Sequence, residues 1–328
     1  MIGASDEYRH RPTPEPLFND SHYFDFYDPA ARLGLFARIG VYPNLKTANA
    51  WLYVLSEEGV VAFRDESVPL EKCRDEGLSI EAADGRFDWE RLEPMRRWRF
   101  RCRARAHHVR QGSHLLEPGK VSQLAVAQPE VELDVTFSAL HAVFDYYFQA
   151  PEELAATHGH YEHGGVFTGT LSVGGMELCL DAVGARDHSW GPRDWTGAPW
   201  AWSSFQFDRD VSINCMRMPP AGDIGGFSTF AGYIWHDGEV HHLTQYLLES
   251  RMEPDGFTQR SFRYHLEDSC GKTMDIRGRP LVIAPLPFAS EGRRSVFSRA
   301  LSRFEWAGRI GCGFSEYLTS WEEGGSPR

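Results

Sequence analysis

The sequence of 328 residues predicts an all-β fold of antiparallel strands. Short β-prone segments are separated by turn signals at intervals of about 8–12 residues, which is typical of sandwiches and barrels. Long stretches of helical periodicity are almost absent. Aromatic residues make up 13% of the chain, and such a surplus favours sheets and apolar pockets over helical bundles.

The N-terminal half contains a series of short segments that we expect to be strands. These are Ser21–Phe26, Leu33–Val41, Ala48–Leu55, Val60–Phe63, Leu78–Ala82, Phe87–Leu92, Arg96–Val109 and Val131–Ala142. The clearest period of two lies in 96–109, where arginines alternate with Trp98, Phe100 and Cys102. We interpret the arginines as a solvated outer face rather than an anion site. Pro151 is expected to begin a short helix.

The C-terminal half repeats the pattern. A hairpin is predicted from Val166–Val173 and Met176–Val183, joined by two glycines. The further strands expected are Trp200–Phe207, Val211–Met216, Gly226–Trp235, Glu239–Leu248, Phe257–Glu267, Thr273–Ile283 and Gly308–Leu318. Asp237 and Gly238 predict a type I′ turn.

Composition narrows the classes of function. The net charge of −12 argues against nucleic-acid binding, which needs a basic surface. No run of about 18 apolar residues predicts a membrane span, and residues 1–16 lack the apolar core of a secretory signal. The six cysteines are widely separated, and a cytoplasmic, thiol-reduced protein is the simplest interpretation. A homodimer is compatible with the sequence.

Residues 183–195 concentrate chemistry that no simple strand requires: two Asp, two Arg, one His and two Trp. Because they follow the predicted hairpin, we expect them to begin where a strand ends. Two interpretations stay open. In the first, Arg186 and Arg193 pair with Asp187 and Asp194 in a structural ion network. In the second, the stretch is a site of proton transfer.

Other kinds of site are disfavoured. The chain has no G-x-S-x-G nucleophile elbow, no P-loop and no G-x-G-x-x-G opening a helix, so we expect neither a nucleotide nor a redox cofactor. His158 and His160, with Glu162 and His163 nearby, have a spacing compatible with metal ligands. A metal enzyme built on them is kept as a third alternative, but the expectation is no metal and no cofactor.

Acid–base catalysis is the class of reaction that these exclusions leave. We expect His188 to act as the general acid or base and Asp187 to be its orienting partner or a base, beside Trp190. The guanidinium of Arg186 would lower the pKa of Asp187 and keep it ionised. The residues expected to bind substrate are Trp195, Trp202, Gln206 and Tyr233. Aromatic walls around a polar cluster suit hydration, dehydration, isomerisation or cyclisation of an apolar molecule.

Residues 187–191, Asp-His-Ser-Trp-Gly, resemble the D-H-x-W-G signature of the carotenoid 1,2-hydratase and AttH-like proteins, a lipocalin-like (calycin) superfamily. The longer G-x-R-D-H-S-W-G-x-R-D-W string is closer to a bacterial branch of that superfamily. Tyr42-Pro43-Asn44, residues 92–95 and residues 308–317 support the resemblance in the expected order.

The resemblance implies two lipocalin-like antiparallel β-barrel domains packed together, which we expect at residues 1–194 and 195–328. It also implies an enzyme that works without a cofactor on a terpenoid- or polyketide-like small molecule. The hydratases of the superfamily add water across a terminal isoprenoid double bond, and related fungal proteins are cyclases of the Diels–Alder type. The alternative is a non-catalytic carrier of a hydrophobic ligand in the same barrel cavity.

Overall fold

The computed structural model describes residues 2–146, 158–218, 229–290 and 292–327. Within these residues the chain forms two compact units. The N-terminal unit contains residues 2–110, 122–146 and 158–193, and the C-terminal unit contains residues 111–121, 194–218, 229–290 and 292–327. Residues 111–121 therefore join the second unit before the first unit is complete along the chain.

The strands of the N-terminal unit are β1 (Phe18–Asp28), β2 (Leu33–Tyr42), β3 (Thr47–Ser56), β4 (Gly59–Pro69), β5 (Cys73–Arg74), β6 (Ser79–Ala82), β7 (Gly85–Glu93), β8 (Arg97–Arg105), β9 (His107–Val109), β10 (Glu130–Ala139), β11 (Phe144–Asp145), β12 (Gly159–Val173) and β13 (Met176–Pro192). They form one curled antiparallel sheet in the order β5-β6-β7-β8-β10-β12-β13-β1-β2-β3-β4-β9, with β11 paired to β12. The concave face encloses an apolar core that includes Phe24, Phe100 and Phe167.

The strands of the C-terminal unit are β14 (Trp200–Phe207), β15 (Val211–Met218), β16 (Thr229–His236), β17 (Glu239–Met252), β18 (Gln259–Asp268), β19 (Thr273–Ser290), β20 (Arg293–Trp306) and β21 (Arg309–Glu322). They close into an eight-stranded barrel in sequence order, with β21 paired back to β14. Phe205, Tyr264 and Phe304 belong to its interior core.

The predicted fold class is confirmed: the chain is all-β, with lipocalin-like antiparallel sheets. The described residues contain one short α-helix, α1 (Val121–Leu124), and six 3-10 turns: Ala4–Glu7, Pro43–Leu45, Leu70–Lys72, Asp75–Gly77, Gly112–Leu116 and Pro118–Lys120. None of the helices in the described ranges is long and apolar enough to cross a membrane. The helix expected at Pro151 and the first residues of the strand expected at 226–235 lie outside the described residues.

Local sequence signals predicted several elements well. In β8 the residues Trp98, Phe100 and Cys102 are buried while most of the alternating arginines are exposed. Asp237 and Gly238 both have positive φ, 54° and 83°, as a type I′ turn requires. Strand β20 was not predicted, since its four arginines and three serines hide the apolar face that it contributes to the barrel.

The expectation that residues 183–195 begin where a strand ends is wrong. Strand β13 continues to Pro192 and carries most of the motif inside the sheet, between β1 and β12. Gly184 permits this, because a Cβ atom there would lie 2.0 Å from the carbonyl oxygen of Asp25 on β1. The motif side chains therefore alternate between the two faces of the sheet.

Candidate acid–base site

Strand β13 presents different chemistry on its two faces. Arg186, His188 and Trp190 point to the concave side, which Ala182 shares with the core, whereas Asp187 belongs to the opposite, outer face. Adjacent residues of a strand cannot share a face. The expected pairing of Asp187 with His188 is therefore not what the structure shows, and each residue has partners from other strands.

His188 is fully buried and is paired with Asp20 of β1. Its Nε2 lies 2.8 Å from Asp20 Oδ1, and its ring stacks on His22 at 3.8 Å. His10 approaches the same carboxylate, with Nδ1 at 3.2 Å from Oδ2, and stacks on Trp190 at 3.6 Å. Burial alone would raise the pKa of Asp20, but the imidazole partners hold it well below its usual range. This cluster holds the arm that precedes β1 against the inner face of β13.

Arg186 is also on the inner face and is ion-paired with Glu7, from the first 3-10 turn. Both terminal nitrogens of Arg186 lie 2.9 Å from Glu7 Oε1, and neither side chain is exposed by more than 1%. Tyr161 donates to the same oxygen at 3.0 Å, and Trp98 stacks under the guanidinium at 4.3 Å. Because these partners satisfy the charge of Arg186 on the inner face, its expected ion pair with Asp187 is wrong.

The other two charges of the motif lie beyond the sheet-embedded part of β13. The Arg193 guanidinium donates to the hydroxyl of Ser189 at 3.2 Å. Asp194 accepts the backbone N–H and the hydroxyl of Thr196, both at 2.8 Å, and so closes the turn at the start of the second unit. These contacts give both residues a structural explanation.

Asp187 forms part of a separate cluster on the outer face, together with Glu162 and His160 of β12. Glu162 is directly opposite Asp187 in the strand register. His160 Nε2 lies 3.0 Å from Glu162 Oε1 and 4.0 Å from Asp187 Oδ2, and the His160 ring stacks on Tyr146 at 4.7 Å. Glu162 is buried, whereas 17% of the Asp187 side chain is exposed. The cluster thus joins two carboxyl groups and one imidazole.

The pKa of Asp187 is raised to about 7, chiefly by burial and further by the carboxylate of Glu162, against the opposing charges of His160, Arg193 and Arg38. The expectation of a lowered pKa is wrong, because Arg186 lies on the other face of the strand. A carboxyl group with a pKa near neutrality can both donate and accept a proton at the pH of a cell. The sheet leaves the Asp187 side chain partly exposed, whereas His188 is fully buried.

Residues next to Asp187 on the outer face were missed by sequence reasoning. The register runs from Asp187 to Tyr23 on β1, then to Arg38 on β2 and Trp51 on β3. The guanidinium of Arg38 lies 4.9 Å from the Trp51 ring, and all three side chains are buried. Their alternation with core residues was the available signal, but the partner strands of β13 cannot be read from sequence spacing. The result is a row of aromatic and cationic groups beside the carboxyl pair.

The alternation of side chains between the two faces of the sheet also determines which residues could form the alternative metal site. His163 points to the inner face, where its Nε2 lies 3.1 Å from Arg186, so His163 cannot share a site with His160. The ligand atoms of His160, Glu162 and Asp187 do lie within 4.8 Å of one another, so these three residues could hold a divalent cation.

The residues expected to bind substrate belong to the C-terminal unit. Trp202 and Gln206 on β14 and Tyr233 on β16 all lie on the outer face of the barrel, and all are buried. Neither amide atom of Gln206 has a hydrogen-bond partner among the described residues. Trp195 lies apart from this set and stacks on Phe288 at 5.1 Å.

Comparison with known proteins identifies the family. Residues 3–320 match the model described as "Domain of unknown function (DUF7064)", so the chain belongs to this family. A search of curated proteins found no match.

Several solved structures have a similar fold. A protein assigned as AttH from Nitrosomonas europaea has a TM-score of 0.60 at 13% identity, covering 95% of this chain and 94% of its own. Kievitone hydratase from Nectria haematococca has a TM-score of 0.58 at 13% identity, covering 97% and 92%. The protein CghA has a TM-score of 0.55 at 12% identity, covering 94% and 89%. At these identities the likeness concerns the fold.

Proposed function

We propose that this protein is a cofactor-independent acid–base enzyme that adds, removes or relocates a proton on a hydrophobic small molecule. The reaction class is hydration or dehydration, isomerisation or cyclisation. The observation that carries the proposal is the pair formed by the partly exposed carboxyl group of Asp187 and the buried carboxyl group of Glu162 opposite it, where burial raises the pKa of Asp187 to about 7. Enzymes use such a carboxyl as a general acid, since near neutral pH it is partly protonated and yet readily gives up its proton.

In the proposed mechanism, Asp187 donates a proton to the substrate, and Glu162 with His160 controls when it is reprotonated. Two carboxyl groups this close do not both ionise readily, so a proton is retained by the pair. Protonation of a carbon–carbon double bond leaves a cation, which the carboxylate left on Asp187 and the neighbouring ring of Tyr23 would stabilise. Loss of a neighbouring proton, attack by water or ring closure then gives the three product classes.

His188 and Trp190 are proposed as positioning residues. They act from the opposite face of β13 through Asp20 and His10, and hold the strand at the register that sets Asp187 beside Glu162. Their removal would disturb the site without removing the proton that is transferred.

The proposed substrate contacts of the C-terminal unit are Trp202, Gln206 and Tyr233, with Trp195 as a further candidate. A buried amide without a partner is energetically unfavourable, so Gln206 is suited to a polar group of a ligand. Trp202 and Tyr233 would contribute apolar area beside it. A terpenoid- or polyketide-like molecule offers this combination of apolar surface and few polar groups.

The test uses the purified full-length protein in deuterium oxide with kievitone and geranylgeraniol as probes. The kievitone hydratase of similar fold makes kievitone the first compound to try. We expect deuterium bonded to carbon in the recovered compound, and a rate lowered at least about 100-fold in Asp187→Asn. Asp181→Asn, an exposed position on the same strand, is the matched control.

A measurement that needs no substrate accompanies it. The carboxyl band of Asp187, identified by its loss in Asp187→Asn, is followed by infrared difference spectroscopy across the pH range. Titration near pH 4 would exclude Asp187 as the acid. A probe that binds and is recovered without deuterium, while Asp187 titrates near pH 7, would instead support a carrier of hydrophobic ligands.

A further inference from the structure

Two neighbouring turns at one end of the C-terminal barrel bring together potential metal ligands that are far apart in sequence. One turn joins β16 to β17 at residues 237–238, and the other joins β18 to β19 at residues 269–272. The backbone N–H of Ser269 donates to the carbonyl of His242 at 2.8 Å and links the two turns. As a result, ligand atoms of His236, His241 and Cys270 all lie within 4.8 Å of one another.

His236 is held in the orientation that a metal ligand requires. Its Nδ1 lies 2.7 Å from Asp237 Oδ2, and its Nε2 lies 2.8 Å from Asp268 Oδ2. A carboxylate on one ring nitrogen fixes the tautomer in which the other nitrogen can bind a metal, and this is the usual arrangement around zinc-binding histidines. His241 stacks beside it with ring centroids 4.5 Å apart.

Cys270 supplies a sulfur atom at the correct separation. Its Sγ lies 3.9 Å from His236 Nε2 and 3.0 Å from Asp268 Oδ1. With Zn–S near 2.3 Å and Zn–N near 2.0–2.1 Å, two ligands at a tetrahedral angle lie about 3.6 Å apart. The thiol is exposed and the His236 ring is buried, so that an ion can enter from solvent and be covered on its inner side.

We propose that His236, His241 and Cys270 bind one zinc ion at this end of the barrel. Two imidazoles and one thiolate form a donor set that suits Zn²⁺, whereas Ca²⁺ and Mg²⁺ prefer oxygen ligands alone. The carboxylate of Asp268, which contacts both His236 and Cys270, lies beside the fourth tetrahedral position. The ion joins the β16–β17 and β18–β19 turns and is independent of the proposed reaction at Asp187.

Zinc binding changes the protonation of the Cys270 thiol, which is hydrogen-bonded to Asp268 when no metal is bound. Without metal, the Cys270 thiol donates to Asp268, and this hydrogen bond together with burial raises the pKa of the thiol. Burial opposes ionisation of Asp268, but hydrogen bonds from Cys270, His236 and the turn backbone lower its pKa to about 2, so the carboxylate stays ionised. Zinc binding releases the thiol proton, and the contact between His236 Nδ1 and Asp237 Oδ2 stays in place.

The sequence shows only part of this site. His236 and His241 have four residues between them, a spacing that zinc ligands use, but Cys270 is one of six scattered cysteines without a C-x-x-C partner. The pairing of β17 with β18, with Leu243 opposite Asp268, brings the two turns together. The expectation of no metal in the chain rested on local spacing, which does not apply to ligands contributed by separate hairpins.

The test uses the full-length protein, stripped with a chelator and titrated with Co²⁺ and then Zn²⁺. We expect one ion per chain, a thiolate-to-cobalt charge-transfer band in the near ultraviolet and visible bands typical of tetrahedral cobalt. Cys270→Ser should remove the charge-transfer band and weaken zinc binding by more than about 100-fold. Asp237→Asn should weaken zinc binding by about 10- to 100-fold, as measured for outer carboxylate partners.

Matched controls are available in the chain. Cys179 is also an exposed free thiol, and His242 adjoins His241, so Cys179→Ser and His242→Ala should leave the affinity unchanged. Each variant is checked by circular dichroism before titration. The proposal is overturned if the metal-free protein binds no cobalt, if the bound cobalt lacks a sulfur band, or if the control variants lose as much affinity as Cys270→Ser and His241→Ala.

Discussion

Replacing Asp187 by Asn should stabilise the protein, by an amount that grows with pH. In the folded protein the pKa of Asp187 is about 7, against an ordinary value of 3.8. Between these two pH values the unfolded chain loses its proton and the folded chain keeps it. The native carboxyl therefore lowers the free energy of unfolding as the pH rises from about 4 to about 7, after which the loss is constant.

The size of this effect on the free energy of unfolding follows from the linkage between proton binding and folding. At about 1.4 kcal/mol per pKa unit, the loss reaches about 4 kcal/mol near pH 8 but is only about 1.7 kcal/mol near pH 5. Asparagine has almost the same shape and cannot ionise, so Asp187→Asn should recover these amounts. This gain in stability would be accompanied by loss of the proposed general acid, as is common when a functional carboxyl is removed.

The assay is urea unfolding of the full-length wild type and of Asp187→Asn near pH 5 and near pH 8, followed by tryptophan fluorescence. We expect the variant to be more stable at both pH values, with a difference larger by about 2–3 kcal/mol at the higher one. Asp181→Asn, on the same strand, controls for the loss of a negative charge. An equal difference between Asp187→Asn and wild type at the two pH values would refute the raised pKa.

Two further predictions concern the inner face of the N-terminal sheet. Glu7→Gln leaves the buried charge of Arg186 without a carboxylate and should lower the free energy of unfolding by about 3–5 kcal/mol, measured by denaturant titration. The exposed Glu57 is the control, where Glu57→Gln should change it by less than about 1 kcal/mol; equal effects would contradict the burial argument. Gly159→Ala would place a Cβ atom 2.1 Å from the Trp190 ring and should lower the melting temperature, at a cost of about 1–3 kcal/mol. An unchanged melting temperature would show that the ring moves freely.

Much of the fold could be predicted because it depends on local signals. The two glycines at 174–175, with φ of 60° and 85°, mark the β12–β13 hairpin, and the alternation of arginines with apolar residues marks β8. The opposite orientations of Asp187 and His188 also follow from sequence, because adjacent residues of a strand point to opposite faces when the strand is continued through the motif.

The partners could not be predicted, because they come from distant parts of the chain. His188 meets Asp20, which is 168 positions away, and Arg186 meets Glu7, which is 179 positions away. No spacing rule connects a polar arm before the first strand to the last strand of a sheet. The pKa of Asp187 depends on the same long-range placement, since it is raised chiefly by burial within the folded sheet and further by Glu162 on the neighbouring strand.

The position of β1 beside β13 has a consequence for how the protein forms. The first and last strands of the N-terminal sheet are neighbours, so a growing chain cannot complete this sheet until residue 192 has been synthesised. Contacts of such long range close slowly, since the intervening loop must lose its conformational freedom first. We expect a spectroscopic probe at His188 or Trp190 to report the closing of the N-terminal sheet, after its local hairpins have formed.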